Sequence, residues 1–126
     1  MPQTIEQQRA AYALKRVNHH LADAAFTEDD RKEFNSYAQA LPAMIHTNGL
    51  GQAMAFYRSK GGNHERIYQL LSGWLCRENQ PYSGQTDLLT AITQTDMHHY
   101  RMAQVESQAL LGWLKRFTKA FMAVEG

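Results

Sequence analysis

Residues 64–76 read HERIYQLLSGWLC, and this stretch decides the fold class. Its large apolar residues recur at intervals of three and four, which places them on one face of an α-helix. They are Ile67, Leu70, Leu71, Trp74 and Leu75. Before and after this helix, apolar residues recur at the same spacing in segments that short groups of helix breakers separate. No stretch shows the alternation of a strand for more than a few residues. The sequence therefore predicts an all-α protein.

Capping and breaker residues divide the chain into about six helices. Thr4, with Gln7 three residues later, has the form of a capping box and predicts the start of the first helix. Thr27 before three acidic residues predicts the start of the second. Pro42 is expected either to kink the second helix or to begin a new short one, and Gly49 to end this region. Later helices are expected over residues 50–60, around residues 64–76, over about residues 87–94 and from about residue 96 onward.

The last helix is the longest, and its apolar positions predict the face that it buries. We expect these residues to pack in the core: Ala103, Leu110, Trp113, Leu114, Phe117 and Phe121. Glu106 lies on or beside this stripe, and Glu6 is similarly placed on the first helix. An unpaired carboxylate there would be costly to desolvate, so we expect Glu106 to form a structural ion pair with an arginine or lysine from another helix.

The composition fits one soluble globular domain. The chain has 126 residues, of which 44% are hydrophobic and 20% charged, so we expect a single helical domain over residues 1–126, folded as one compact bundle. No apolar run approaches the roughly 20 residues needed to span a bilayer, and the first residues lack a secretory core. These features predict a cytoplasmic protein with no membrane contact. A single cysteine, Cys76, excludes an intrachain disulfide and cannot build a zinc site alone.

The six histidines do not form a recognisable catalytic or metal-binding motif. The histidines in each of the pairs His19-His20 and His98-His99 are adjacent in sequence. Because neighbouring residues on a helix point about 100° apart, neither pair can coordinate one metal ion. We expect no metal, no cofactor and no catalytic residues. A small helical enzyme using Glu106 and a histidine stays as an alternative, and it requires a concave pocket that holds both.

Basic residues lie along several of the predicted helices, although the net charge is only +1. Arranged along one surface, they would attract a phosphate backbone without reading bases. The alternative is that they merely solvate helix faces, and spacing alone does not decide between the two.

Two segments resemble a known family. Residues 41–60, LPAMIHTNGLGQAMAFYRSK, are similar to a signature in which LP, GL, AF and a lysine recur at these intervals. Residues 113–120, WLKRFTKA, are similar to a C-terminal signature of tryptophan, KRF and alanine. Both belong to the small subunit of type III-B CRISPR (Cmr) effector complexes, and the resemblance covers essentially the whole chain.

The resemblance implies a helical bundle without enzymatic activity. Copies would stack head to tail into one filament, beside a second filament formed by other, larger Cmr effector subunits. Guide RNA and target RNA would lie between the two filaments. The small subunit would offer a basic surface to the RNA backbone. The residues that we expect to bind nucleic acid are Arg9, Arg16, Arg58, Lys60, Lys115, Arg116 and Lys119. An alternative is a helical protein–protein adaptor without nucleic-acid contact, which would use exposed aromatics such as Tyr12, Tyr57 or Tyr82.

Overall fold

The computed structural model describes residues 2–124, and within them it contains six α-helices and no strand. The helices are α1 (Ile5–Leu21), α2 (Glu28–Asn48), α3 (Leu50–Lys60), α4 (Gly62–Leu75), α5 (Leu88–Gln94) and α6 (Met97–Met122). The predicted all-α fold of about six helices is confirmed.

The helix boundaries follow from local chemistry. Thr4 and Gln7 form the predicted capping box at the start of α1, and Thr27 forms another with Asp30 at the start of α2. Gly49 separates α2 from α3 at φ +86° and ψ 158°, a conformation that is essentially confined to glycine. These caps satisfy backbone groups that each helix end would otherwise leave unpaired.

Pro42 neither ends α2 nor begins a new helix. The helix is continuous from Glu28 to Asn48, so the alternative of a separate short helix is wrong. The carbonyl oxygen of Pro42 accepts a hydrogen bond of 2.9 Å from the Gln108 side chain on α6. This contact ties the middle of α2, where the proline removes one helical hydrogen bond, to α6.

Helix α6 packs against both α1 and α2. The Gln39 side chain of α2 donates to the carbonyl of Lys115 at 2.8 Å, and the Gln104 side chain accepts from the backbone of Leu50, just after α2, at 2.8 Å. Residue numbers rise along α2 as their partners' numbers fall along α6, so the two helices are antiparallel.

One hydrophobic core joins the helices. The five apolar residues predicted to line α4 are all buried, and so are Tyr57 of α3 and Tyr82 of the loop after α4. One prediction is wrong: Phe121 is 52% exposed, whereas Met122 beside it is buried. Among residues 2–124, no helix is both long enough and apolar enough to cross a bilayer.

Candidate nucleic-acid interface

The predicted ion pair of Glu106 exists, and its partner is Arg9. The Arg9 guanidinium donates from Nε to Glu106 Oε2 at 2.7 Å and from Nη2 to Oε1 at 2.8 Å. The two side chains are 16% and 12% exposed, so water screens the pair weakly. This pairing raises the pKa of Arg9 further above its usual value. The bidentate geometry joins α1 to α6 with a fixed orientation.

Two tryptophans extend this ion pair. Trp74 Nε1 donates to Glu106 Oε2 at 2.9 Å, and Trp113 Nε1 donates to Glu6 Oε2 at 3.0 Å. Glu6 also pairs with Arg9. The hydrogen bonds from Trp113 and Arg9 lower the pKa of Glu6. One arginine thereby connects two carboxylates and, through them, both tryptophans.

Arg9 has a different role from the predicted one. Its guanidinium is mostly buried and is bound to two carboxylates, so its N–H groups are already used inside the protein. We therefore assign Arg9 to the ion pair that holds α1 on α6. Its position in the sequence does not reveal this, because Glu106 lies 97 residues away.

Arg58 and Lys60 lie at the C-terminal end of α3 and are both exposed. Arg58 forms a salt bridge with Glu65 of α4. The Lys60 ammonium lies 5.7 Å from the centre of the exposed Phe56 ring. The arginine therefore presents a partly neutralised charge, whereas Lys60 pairs with no acid among residues 2–124.

The three predicted residues of α6 share one helix near its C-terminus. Arg116 and Lys119 are exposed and Lys115 is partly exposed. None of the three forms a salt bridge within the described part of the chain. Their charges are available to a phosphate backbone.

Arg16 belongs to a different basic surface. It lines a surface depression of about 550 Å³ together with Lys15 and Arg77, and none of the acidic residues within 2–124 lines this depression. Neither Lys15 nor Arg77 is among the predicted contacts. The adjacent pair Lys15-Arg16 is visible in the sequence, but the approach of Arg77 depends on how the end of α4 meets α1.

The aromatic residues that the adaptor alternative invoked are not exposed. Tyr57 and Tyr82 are each 1% exposed, and Tyr12 is partly buried with its hydroxyl donating to the Leu70 carbonyl at 2.7 Å. Within residues 2–124, the large apolar side chains that are exposed are Ile5, Phe56, Met97, Met102, Val105 and Phe121.

A second depression, of about 660 Å³, meets the geometric condition of the enzyme alternative. Its lining includes Glu106, His98 and His99. However, both oxygens of Glu106 already accept hydrogen bonds from Arg9, and Oε2 accepts a third from Trp74. A carboxylate held this way is poorly suited to exchange protons. No group of three potential ligands able to hold a metal occurs among residues 2–124.

Cys76 follows α4 and is half-buried as a free thiol. Burial raises its pKa, so the reactive thiolate is disfavoured.

The fold and surface define a class: a small all-helical protein whose basic side chains are distributed over several helices. The chain matches the family described as "CRISPR-associated protein (Cas_Cmr5)" over residues 5–121. It belongs to that family, which confirms the resemblance to the Cmr small subunit. It is also similar to the crystal structure of a CRISPR-associated Cmr5 family protein from Thermus thermophilus. The TM-score is 0.77 and the identity 27%, over 96% of this chain and 100% of that chain.

Proposed function

We propose that this chain is a non-catalytic small subunit of a type III-B CRISPR (Cmr) effector, where it contacts the RNA backbone and neighbouring subunits. The observation that carries this proposal is the family match over residues 5–121. Such a subunit contributes surfaces rather than bond-breaking groups, and it would act in the cytoplasm with the rest of the complex.

The basic residues of α6 support backbone contact. Lys115, Arg116 and Lys119 occupy two successive turns and form no salt bridge within residues 2–124. Cations of this kind bind phosphates without reading bases. That suits an RNA-guided complex, in which guide pairing selects the target sequence.

The state of Glu106 supports a non-catalytic role. It is the carboxylate that the sequence placed on the apolar stripe of α6, and it is bound by Arg9 and Trp74. Its function is therefore structural in this proposal.

Exposed apolar side chains near both ends of α6 support stacking of copies. Met97, Met102 and Val105 lie toward its start and Phe121 lies at its end. At 1.5 Å per residue, Met97 and Phe121 are separated by roughly 36 Å along the helix. A contact between different ends of successive copies is heterologous and extends into a filament. Other Cmr subunits would flank that filament.

The test combines assembly with RNA binding. The tagged chain is co-expressed with the other Cmr subunits, and the purified complex is titrated with single-stranded RNA across a salt series. We expect co-purification and steep salt dependence. Changing Lys115, Arg116 and Lys119 to alanine should flatten the salt dependence, because each lost phosphate contact removes about 0.7 from the slope. Failure to co-purify would overturn the proposed function.

The adaptor alternative is favoured by one observation. Ile5, Met102 and Val105 are exposed and line the same depression, which offers an apolar surface to another protein. In that case the chain would co-purify with the complex, while the triple substitution would leave RNA binding unchanged.

A further inference from the structure

The depression that Arg16 lines draws its basic residues from two separate parts of the chain. Lys15 and Arg16 come from α1, whereas Arg77 follows the end of α4. No residue of α6 lines it. It is therefore distinct from the basic residues at positions 115, 116 and 119.

Within the described residues, no acid forms a salt bridge with any of the three cations of this depression. Elsewhere, Arg9, Arg58 and Arg66 each form a salt bridge with an acid. Lys15, Arg16 and Arg77 have no acid within salt-bridge distance among residues 2–124, and their side chains donate no hydrogen bond there. Three like charges around one concavity repel each other, and an anion placed between them relieves that repulsion.

Arg77 is held in place by aromatic rings. The centre of its guanidinium lies 4.9 Å from the Trp74 ring centre and 5.7 Å from that of Tyr12. Cation–π contacts of this kind attract the guanidinium without using its N–H groups as hydrogen-bond donors, so those groups stay available for a phosphate oxygen. The arginine thus loses less side-chain freedom on binding than a mobile lysine would.

The two rings are themselves fixed by hydrogen bonds. Trp74 donates to Glu106 in the buried ion pair, and Tyr12 donates to the Leu70 carbonyl. Gly73 lies directly beside Tyr12: a Cβ atom added there would be 2.7 Å from the tyrosine oxygen. The glycine therefore leaves room for the Tyr12 hydroxyl against α4, where it reaches the Leu70 carbonyl.

From this arrangement we infer that the depression formed by Lys15, Arg16 and Arg77 is a binding site for the phosphodiester backbone of single-stranded RNA. The inference rests on the proposed function and adds to it a second, preorganised contact on α1 and α4. Contacts here are to phosphate oxygens and not to base edges, because the cations offer donors without a base-shaped pocket.

The experiment measures binding of a fluorescein-labelled oligouridylate to the purified full chain and to the co-purified complex, by anisotropy across a salt series. The double variant Arg16→Ala/Arg77→Ala is compared with the matched control Arg31→Ala/Arg101→Ala, which removes two arginines outside the depression. We expect the first pair to weaken binding at least tenfold at low salt. The slope of log affinity against log salt should fall by about 1.4, because two contacts each contribute about 0.7.

Two further variants separate charge from geometry. Arg77→Lys keeps the charge but loses the planar fork, so we expect an intermediate affinity with nearly the original salt slope. Gly73→Ala keeps every charge but displaces Tyr12, and we expect weaker binding from it as well. Circular dichroism of each variant verifies that the helices remain.

The outcomes distinguish the two proposals. If the unaltered chain and complex bind RNA and the Arg16/Arg77 variant binds as well as the control variant, this site is overturned while the proposed function stands. If neither the unaltered chain nor the complex binds RNA, both RNA claims are overturned. A loss confined to the Arg16/Arg77 variant, with the control unchanged, supports the site.

Discussion

Arg9 donates two parallel hydrogen bonds, of 2.7 and 2.8 Å, to the carboxylate of Glu106, which lies 97 positions away in the chain. The pair is nearly excluded from solvent, and each partner has a further neighbour, Glu6 for the arginine and Trp74 for the glutamate. Breaking a pair of this kind by removing one partner leaves the other desolvated and unsatisfied.

We therefore expect Arg9→Ala to destabilise the fold by roughly 2–4 kcal/mol, because Glu106 would keep only its bond from Trp74. Urea denaturation followed by circular dichroism measures the change. Arg101→Ala is the matched control: Arg101 is exposed and forms no salt bridge among residues 2–124, so its loss should change stability by less than about 0.5 kcal/mol. Equal effects of the two substitutions would contradict a structural role for Arg9.

Substitution of glycine by alanine is expected to change stability in opposite directions at Gly49 and Gly112. Gly49→Ala should cost about 2 kcal/mol, because φ of +86° disfavours a side chain and the new Cβ would lie 3.1 Å from the Tyr100 oxygen. Gly112→Ala should instead stabilise by about 0.5–1 kcal/mol, because Gly112 is helical and its Cβ position is open. Thermal unfolding of both variants checks the signs, and a stabilising Gly49→Ala would refute the assigned backbone conformation.

His20 makes the stability of the chain depend on pH. Its ring stacks on Phe26, at 5.5 Å between ring centres, and its Nε2 atom is buried without a partner among the described residues. Burial, with smaller effects from Arg16, Arg66 and His19, lowers the pKa of His20 to about 4, although Asp23 opposes this.

The folded state therefore binds fewer protons than the unfolded state between the ordinary histidine pKa of 6.5 and about 4. The contribution of neutral His20 to the free energy of unfolding is fully present above pH 6.5 and falls with the pH through that interval, by roughly 3 kcal/mol at pH 4. Urea denaturation at several pH values should show this slope, and His20→Phe should flatten it. His98→Gln, at an exposed position, should leave it unchanged.

Phe121 offers a test of where the core ends. Because its ring is 52% exposed, Phe121→Ala should change stability by less than about 0.5 kcal/mol. Phe34→Leu, a smaller change at a fully buried ring, should cost roughly 1–2 kcal/mol. Chemical denaturation measures the free energy of unfolding of both variants. A larger decrease for Phe121→Ala than for Phe34→Leu would show that the Phe121 ring is part of the core.

The same residue illustrates what could be predicted from the sequence. Helix starts at Thr4 and Thr27, and the break at Gly49, were predictable because each depends on neighbours within a few positions. Phe121 was mispredicted because periodicity identifies the face of a helix but not where the surrounding helices stop covering it.

The candidate site was harder to predict for a related reason. The need of Glu106 for a basic partner follows from its apolar surroundings, but the identity of that partner depends on the packing of α1 on α6. The sequence therefore assigned Arg9 to RNA and omitted Arg77, whose position depends on Trp74 and Tyr12. Family resemblance identified the class of protein and left the individual contacts to the structure.

The ion network also has a spectroscopic consequence. The chain contains two tryptophans, and each donates its indole N–H to a carboxylate that is paired with Arg9. The tryptophan fluorescence of the protein therefore originates entirely from indoles bonded to the two ends of one ionic cluster. Any event that reorients the Arg9 guanidinium should alter the emission of both tryptophans. The fluorescence of the unlabelled protein therefore reports on the ion pairs of Arg9.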